Sequence, residues 1–276
     1  MFNHSVQKFD EHLLERYLRM LGVTQRQPSI NVLAELVAAQ LTRVPFENIS
    51  KLYYRKHLAL NTIPDLSIYL DGIERYHFGG TCYSNNYHFY SLLASLGYTV
   101  RLCGADMSTP DAHMASMVNI EGREFLVDVG YAAPFLSPLP RDLKTDYTIV
   151  LGRDRYVLKP QDAEGCSQLE LYRDGILKHG YLAKPEPKKL EDFSIKDTFR
   201  EDATFMNSLL LARFFPDRSI VIHNLAVIES RGTKSRNYSL KDRDELGQAV
   251  KELFGIPQGI VNDAVGELRN FHDAWN

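Results

Sequence analysis

Residues 78–97, FGGTCYSNNYHFYSLLASLG, decide how the rest of the chain is read. Two glycines run into a cysteine. From Cys82 onward, Phe89, Leu92, Leu93 and Leu96 fall on one face of a helix that Gly97 stops. Beyond Gly97 the apolar pattern changes to period two, and residues 98–107, 113–120 and 123–129 read as strands. Upstream, everything reads helical. Phe9, Leu13, Tyr17, Met20 and Leu21 recur at helical spacing before Gly22. Ser29 offers an N-cap to a helix running through Val32, Leu33, Leu36, Val37 and Leu41 before Pro45. A third helix begins near Pro64, a good first-turn residue, and ends before Gly79.

Further strands are expected around 147–151, 155–158, 169–173 and 176–182. The last third mixes a helix near 203–212, strands near 219–229 and a closing helix over 242–254. Helices first, then sheet, then a mixed segment describe an α+β protein. The corresponding division is a helical domain over 1–96, a β domain over 97–195 and an α/β domain over 196–276.

The 276 residues are enough to bury roughly three quarters of the unfolded surface, so neither metal nor disulfide is required for folding. A formal net charge of −3 argues against nucleic acid or an anionic membrane as partner. Three scattered cysteines, Cys82, Cys103 and Cys166, form no CxxC pair and give no zinc motif. Residues 1–22 mix charges throughout and lack the apolar region of a signal peptide, and no stretch approaches the ~20 apolar residues of a membrane span. The expected location is the cytosol. There is no GxGxxG and no Walker motif, which leaves a dinucleotide or phosphoryl-transfer reading without support.

Gly79-Gly80-Thr81-Cys82 permits a tight approach turn that leaves a thiol accessible at a helix start. The positive end of the helix dipole stabilises a thiolate there, and the thiolate is the reactive form. The competing reading is a buried structural cysteine. The next motif, HMASMVNIEGREFLVDVG over 113–130, bears on that choice. If Glu121-Gly122 is a two-residue hairpin turn, Ile120 pairs with Arg123. Asp128 then falls opposite Ala115, diagonal to His113 on the same face, with backbones roughly 7–8 Å apart. A carboxylate inside Phe125-Leu126-Val127-Asp128-Val129 needs a partner, because buried strands rarely keep an unpaired Asp. Cys, His and Asp in this order match the papain-type arrangement.

Other candidates are weaker. Asn86 and His88 read as helix-surface residues or as residues behind the site. Cys103 reads as core, and Cys166 as a loop residue. Lys188-Lys189 and residues 231–236 read as solvated loops, although the latter could meet phosphates.

These residues resemble the arylamine N-acetyltransferases. The family's Pro-Phe-Glu-Asn is present as Pro45-Phe46-Glu47-Asn48, and its Arg-Gly-Gly-x-Cys as Phe78-Gly79-Gly80-Thr81-Cys82, with Asn86 four residues on. Its Asp-x-Gly-Phe-Gly is matched by Asp128-Val129-Gly130-Tyr131-Ala132. Pro138-Leu139 follows as expected. Phe205, Arg213-Phe214-Phe215-Pro216-Asp217 and Glu252-Leu253-Phe254-Gly255-Ile256 are similar to the family's C-terminal part.

The resemblance implies a papain-like cysteine-enzyme fold with an N-terminal helical bundle, a central β-barrel and a C-terminal α/β lid. It implies Cys82 as nucleophile, His113 as base and Asp128 as its orienter. It also implies acetyl-CoA as co-substrate, no permanently bound cofactor or metal, and an aromatic amine or hydrazine as acceptor. Phe46, Tyr131 and Phe199 are candidate aromatic walls, and Thr109 and Gly130 complete the candidate substrate and CoA contacts. Three positions depart from the pattern: Phe78 replaces the arginine, Ser84 the Glu or Gln two residues after the cysteine, and Ala132 the last glycine. The loop before His113 also carries Pro110-Asp111. Without the family arginine, Glu47 needs another partner, and Arg43 or Arg75 is the expectation. Three alternatives stay open: a macrolactam-forming amide synthase fed by a carrier protein, a cysteine hydrolase, and a non-catalytic acyl-CoA or small-molecule binder.

Overall fold

The computed structural model describes residues 8–268. The chain opens with helices α1 (Glu11–Leu21) and α2 (Ile30–Arg43), a short strand β1 (Phe46–Glu47), and helices α3 (Ile49–Leu58), α4 (Leu66–Tyr76) and α5 (Cys82–Ser95). The expected signals set the ends of the first two. Gly22 closes α1 at φ 65°, and the Ser29 hydroxyl accepts the Val32 N–H at the start of α2. Helix α3 has no counterpart in the sequence reading. Its residues ISKLYYRKHL mix charge with apolar groups, and both Ser50 and Lys51 are buried in it.

Eight strands follow or flank a long hairpin: β2 (Thr99–Asp106), β3 (His113–Ile120), β4 (Arg123–Val127), β5 (Leu139–Pro140), β6 (Tyr147–Leu151), β7 (Asp154–Leu158), β8 (Ser167–Arg173) and β9 (Ile176–Pro187). They form one sheet in the order β5-β4-β3-β2-β9-β8-β7-β6. The sheet is curled but its edge strands β5 and β6 are not paired to each other, so it is a half-barrel rather than a closed barrel. Register shifts in the β2–β9 and β8–β9 ladders supply bend. The β3–β4 hairpin has the predicted register: Ile120 pairs with Arg123, and Glu121 and Gly122 take φ of 53° and 77°, as a type I′ turn requires.

The remainder comprises α6 (Thr204–Asn207), β10 (Leu210–Phe214), β11 (Arg218–His223), β12 (Ala226–Arg231), β13 (Lys234–Ser239), α7 (Arg243–Phe254) and α8 (Gln258–Val265). The helix expected over 203–212 is confined to one turn. Leu210, Leu211 and Ala212 are buried in a strand between β1 and β11. A short apolar run does not distinguish a buried strand from a buried helix; here the pairing partners did. Residues 231–236, expected as a loop, form the β12–β13 hairpin.

A five-stranded sheet runs β1-β10-β11-β12-β13. Its first strand comes from the helical N-terminal segment, so the Pro-Phe-Glu-Asn motif is stitched into the C-terminal sheet. One large core joins α1, α2, α4 and α5 to the curled sheet; a second lies between α3, α7, α8 and the five-stranded sheet. The N-terminus of α5 sits where these two bodies meet, because Phe46 of β1 forms a parallel bridge to Gly80. No helix among the described residues is long and apolar enough to cross a membrane.

Candidate active site

The loop before Cys82 is held by backbone contacts that leave no space for side chains. A Cβ on Gly79 would lie 1.9 Å from the Pro45 carbonyl oxygen. The Glu47 N–H donates to Gly80 O (3.1 Å), and Asn85 Nδ2 donates to the same oxygen (3.0 Å). Glu47 is wholly buried. Its carboxylate accepts from the Ser50 N–H (2.9 Å) and the Gly79 N–H (3.0 Å). Burial raises its pKa above the ordinary carboxylate range, although these donors pull the other way.

No arginine completes this arrangement, which corrects the expectation for Arg43 and Arg75. Arg43 donates to the Met20 carbonyl, and Arg75 pairs with Asp71 at 3.4 Å on the surface. Phe78 points away into an aromatic cluster, with its ring 5.7 Å from Tyr54, 5.3 Å from Tyr76 and 5.6 Å from Tyr53. Backbone N–H groups thus do the work of a guanidinium at Glu47, and Phe78 contributes packing.

Cys82 opens α5 and is partly exposed, whereas Cys103 and Cys166 are buried. Burial pushes the Cys103 thiol up to about 12, in keeping with a core residue. His113 and Asp128 meet as the hairpin register requires: the imidazole Nε2 and the Asp128 Oδ2 are 2.8 Å apart, and both side chains are essentially inaccessible. Burial opposes charging of His113. The Asp128 carboxylate and a contact with the Cys82 sulphur outweigh it and lift the pKa to about 10. Asp128 is drawn below the ordinary range: burial works against this, but His113, Asn86 and the Gly130 N–H prevail. The three residues picked out in the sequence are therefore in one place.

Asn86 lies behind them, not on the helix surface. Its Nδ2 donates to Asp128 Oδ1 (2.9 Å) and Met114 O (2.7 Å), and its Oδ1 accepts the Val129 N–H (2.8 Å). It ties the start of α5 to both strands of the hairpin. His88 is also buried; its ring packs 4.4 Å from Tyr69, with Nε2 3.0 Å from Pro64 O, and burial pushes it down to about 4. It is a core residue whose contacts are with Tyr69 and Pro64.

The binding candidates are spread over several surroundings. Gly130 fits against Cys82: a Cβ there would lie 2.8 Å from the Cys82 backbone and 2.6 Å from Asn86. Tyr131 is buried edge-on to His113 at 5.7 Å, with Tyr181 5.1 Å away on the same imidazole, and its hydroxyl is 2.8 Å from His179 Nδ1. Phe46 is buried against Phe205 (5.6 Å). Thr109 is on an exposed loop. Asp111 of that loop is bound by Lys184 and Lys188. Ala132 adopts φ 61°, so the alanine that departs from the glycine pattern occupies a left-handed conformation that glycine tolerates better.

Phe199 alone of these candidates lines the small space beside the nucleophile loop, together with Gly79, Gly80, Thr81, Ser84 and Thr198. Lys51 enters the same space from α3. Nothing in the sequence singled it out: it is one lysine in a mixed helix, and only the fold turns it inward.

The sequence profile of the N-acetyltransferase family matches residues 29–261, most of the chain. The chain belongs to the N-acetyltransferase family. Among its relatives, the proansamycin X synthase of Amycolatopsis mediterranei (strain S699) is 33% identical over 270 residues, covering 89% of this chain and 98% of that protein. The pineal gland isozyme NAT-3 arylamine N-acetyltransferase of Gallus gallus is 23% identical, covering 85% and 90%. The fold of this family member is also that of the Mycobacterium marinum arylamine N-acetyltransferase solved in complex with CoA, with a TM-score of 0.75 at 21% identity and coverage of 92% and 99%.

Proposed function

We propose that the protein transfers an acetyl group from acetyl-CoA, through an acyl-cysteine on Cys82, to an arylamine or hydrazine. The observation that carries this reading is the buried His113–Asp128 pair at 2.8 Å, with His113 in contact with Cys82 at the start of α5. Because Nε2 faces Asp128, Nδ1 is the imidazole nitrogen for the thiol. The Asp128 carboxylate thus stabilises the imidazolium that forms when His113 takes the thiol proton.

The thiolate attacks the thioester carbonyl, and the oxyanion forms at the start of α5, where the Cys82 N–H is the natural donor. The C–S bond to CoA then breaks and CoA leaves as its thiol with the proton that His113 held, which frees the imidazole to act as base in the second half. One thioester replaces another, so this half-reaction needs positioning more than driving force. The amine attacks the acyl-cysteine, its proton passes to His113, and the Cys82 thiolate is released. An aromatic amine suits the site because it is neutral at pH 7. Asp128 fixes the imidazole orientation, and the Asn86 bonds fix Asp128. The fold shared with an enzyme solved in complex with CoA supports the choice of donor.

A second reading has an observation of its own. The proansamycin X synthase relative, at 33% identity, favours an amide synthase that takes a larger acyl chain on the same cysteine and passes it to an amine. Intact mass spectrometry separates the two. The protein incubated with acetyl-CoA alone should gain one acetyl group, and Cys82→Ala none. An adduct formed only with a long-chain acyl thioester would move the assignment to amide synthesis. An adduct on Cys82→Ala would sink the cysteine mechanism.

A further inference from the structure

Residues 189–200 join the half-barrel to the five-stranded sheet without pairing to either. Lys188, just past β9, still donates its N–H to Leu102 O (2.8 Å), and Phe205 O accepts from Asn48 Nδ2 (2.9 Å). Between those points the chain forms two 3-10 turns, Leu190–Asp192 and Ile195–Phe199. Among the described residues, the backbone hydrogen bonds of 189–199 all close between residues 189 and 200. The Asp192 carboxylate accepts the Lys189 N–H (2.8 Å), and the Thr198 hydroxyl donates to Ile195 O (2.7 Å), so these side chains also serve the segment itself. A segment bonded in this way detaches without breaking a ladder, a property of movable loops.

Side chains hold this strap to the body. Phe193 and Ile195 are buried in one apolar cluster with Ile63, Tyr83, Leu102 and Met114, and Cys82 packs against it. The Phe193 ring stands edge-on to Tyr83 at 5.9 Å. Ile195, Thr198 and Phe199 also border the space beside the nucleophile loop, which at about 20 Å³ holds about one water molecule. A further attachment comes from Lys51 of α3. Its Nζ donates to the Thr198 hydroxyl (2.8 Å) and lies 4.2 Å from the centre of the Phe199 ring.

We propose that residues 189–200 are a strap that swings away from the start of α5, widening the space beside the nucleophile loop, and that Lys51 biases it toward the open state. The strap closes by burying Phe193 and Ile195, and it closes over an ammonium at the same time. An ammonium has three donors, and a hydroxyl and a π face replace only part of the water it loses. Burial lowers the Lys51 pKa to about 7, Cys82 raising it and Arg55 lowering it further, so burial outweighs both contacts with the strap. Opening rehydrates Lys51 and offsets part of the cost of exposing Phe193 and Ile195. The strap's purpose, access to Cys82, rests on the acyl-transfer reading, but its motion is measurable without turnover, so the two can fail separately.

Hydrogen exchange of the full-length protein at pH 6, read by mass spectrometry, tests the motion. The amides of 189–200 should exchange as a group, about tenfold or more faster than those of β9 and β10 on either side. Lys51→Met should slow them about threefold, because closure no longer buries a charge. Exchange in step with the two sheets, or unchanged or faster exchange in Lys51→Met, overturns the proposal.

Alkylation tests the access. Cys82 is partly exposed with the strap in place, so iodoacetamide reaches it, whereas a maleimide carrying a bulky fluorophore must wait for opening. The ratio of the bulky to the small rate, read by intact mass beside Cys82→Ala, cancels the reactivity of the thiol itself. Phe193→Ala should raise that ratio about tenfold by removing a buried anchor, and Lys51→Met should lower it. Where Phe193→Ala does not fold, Lys51→Met carries the test. An unchanged ratio in either folded variant means that the strap does not guard the thiol, and it overturns the proposal.

Discussion

On one side of Cys82, His113, Asp128 and Asn86 share a buried network in which each charge meets an opposite charge or a directed hydrogen bond. Lys51, which lines the space beside the nucleophile loop, is 7% exposed and is held by a hydroxyl and a phenyl ring. The first flank closes its hydrogen bonds among its own residues, and the second leaves an ammonium facing a hydroxyl and a π face. Low dielectric strengthens interactions in both, so it rigidifies the paired flank and penalises the unpaired one. The comparison teaches that burial alone does not make an orienting device: its residues must also close their own hydrogen bonds.

The largest test of the contrast is Asp128→Asn. On the acyl-transfer reading, it should reduce the rate of Cys82 acylation about 10³–10⁴-fold through loss of imidazole orientation. A loss below tenfold would mean the pair is only structural. The same variant reports on pH. His113 has its folded pKa raised above 6.5 to about 10, so its stabilisation is fully present below pH 6.5 and is lost as pH rises toward 10. Thermal melts from pH 6 to 10 should show the wild type losing its margin over Asp128→Asn as pH increases.

Next in size is Asn86→Ala. It removes three buried hydrogen bonds and leaves Asp128 with less support, and it should lower the unfolding free energy by about 2–4 kcal/mol in denaturant titration. A change under about 0.5 kcal/mol, within the range of ordinary surface substitutions, would show that the paired flank does not depend on it.

The smallest effect has the opposite sign. The Lys51 pKa is lowered from 10.5 to about 7, so the folded state resists its protonation. Its charge therefore costs stability fully below pH 7, and that cost disappears as pH rises toward 10.5. Lys51→Met should raise the melting temperature by a few degrees at pH 6 and by less at pH 9. A melting temperature that falls at pH 6 would mean the lysine is already paired, and the contrast between the flanks would collapse.

Much of this molecule is legible in one sequence. Gly22, Ser29 and Gly97 mark helix ends through local backbone preferences that need no partner. Glu121-Gly122 fixes the hairpin register, and the register fixes which residues face one another. That counting puts Asp128 diagonal to His113, the glycines before Cys82 suggest an accessible thiol, and the resemblance to the family joins the three into one candidate site. Residues 203–212 were not legible, because the same apolar run satisfies a helix or a strand until β1 and β11 are beside it. Nor was the partner of Glu47. An arginine seemed required, but backbone N–H groups brought from Gly79 and Ser50 serve, and their position depends on the whole loop.

Local chemistry in the sequence thus determined the turns, the helix ends and the three residues of the candidate site, since each rests on conformational preferences or short-range pairing. Only the tertiary structure decided what surrounds Cys82. Asn86 behind the network and Lys51 beside the nucleophile loop acquire their meaning from groups 42 and 147 positions distant in the chain. Burial and charge pairing at that range are properties of the packed molecule, because no spacing in the sequence encodes which side chains lose their water together.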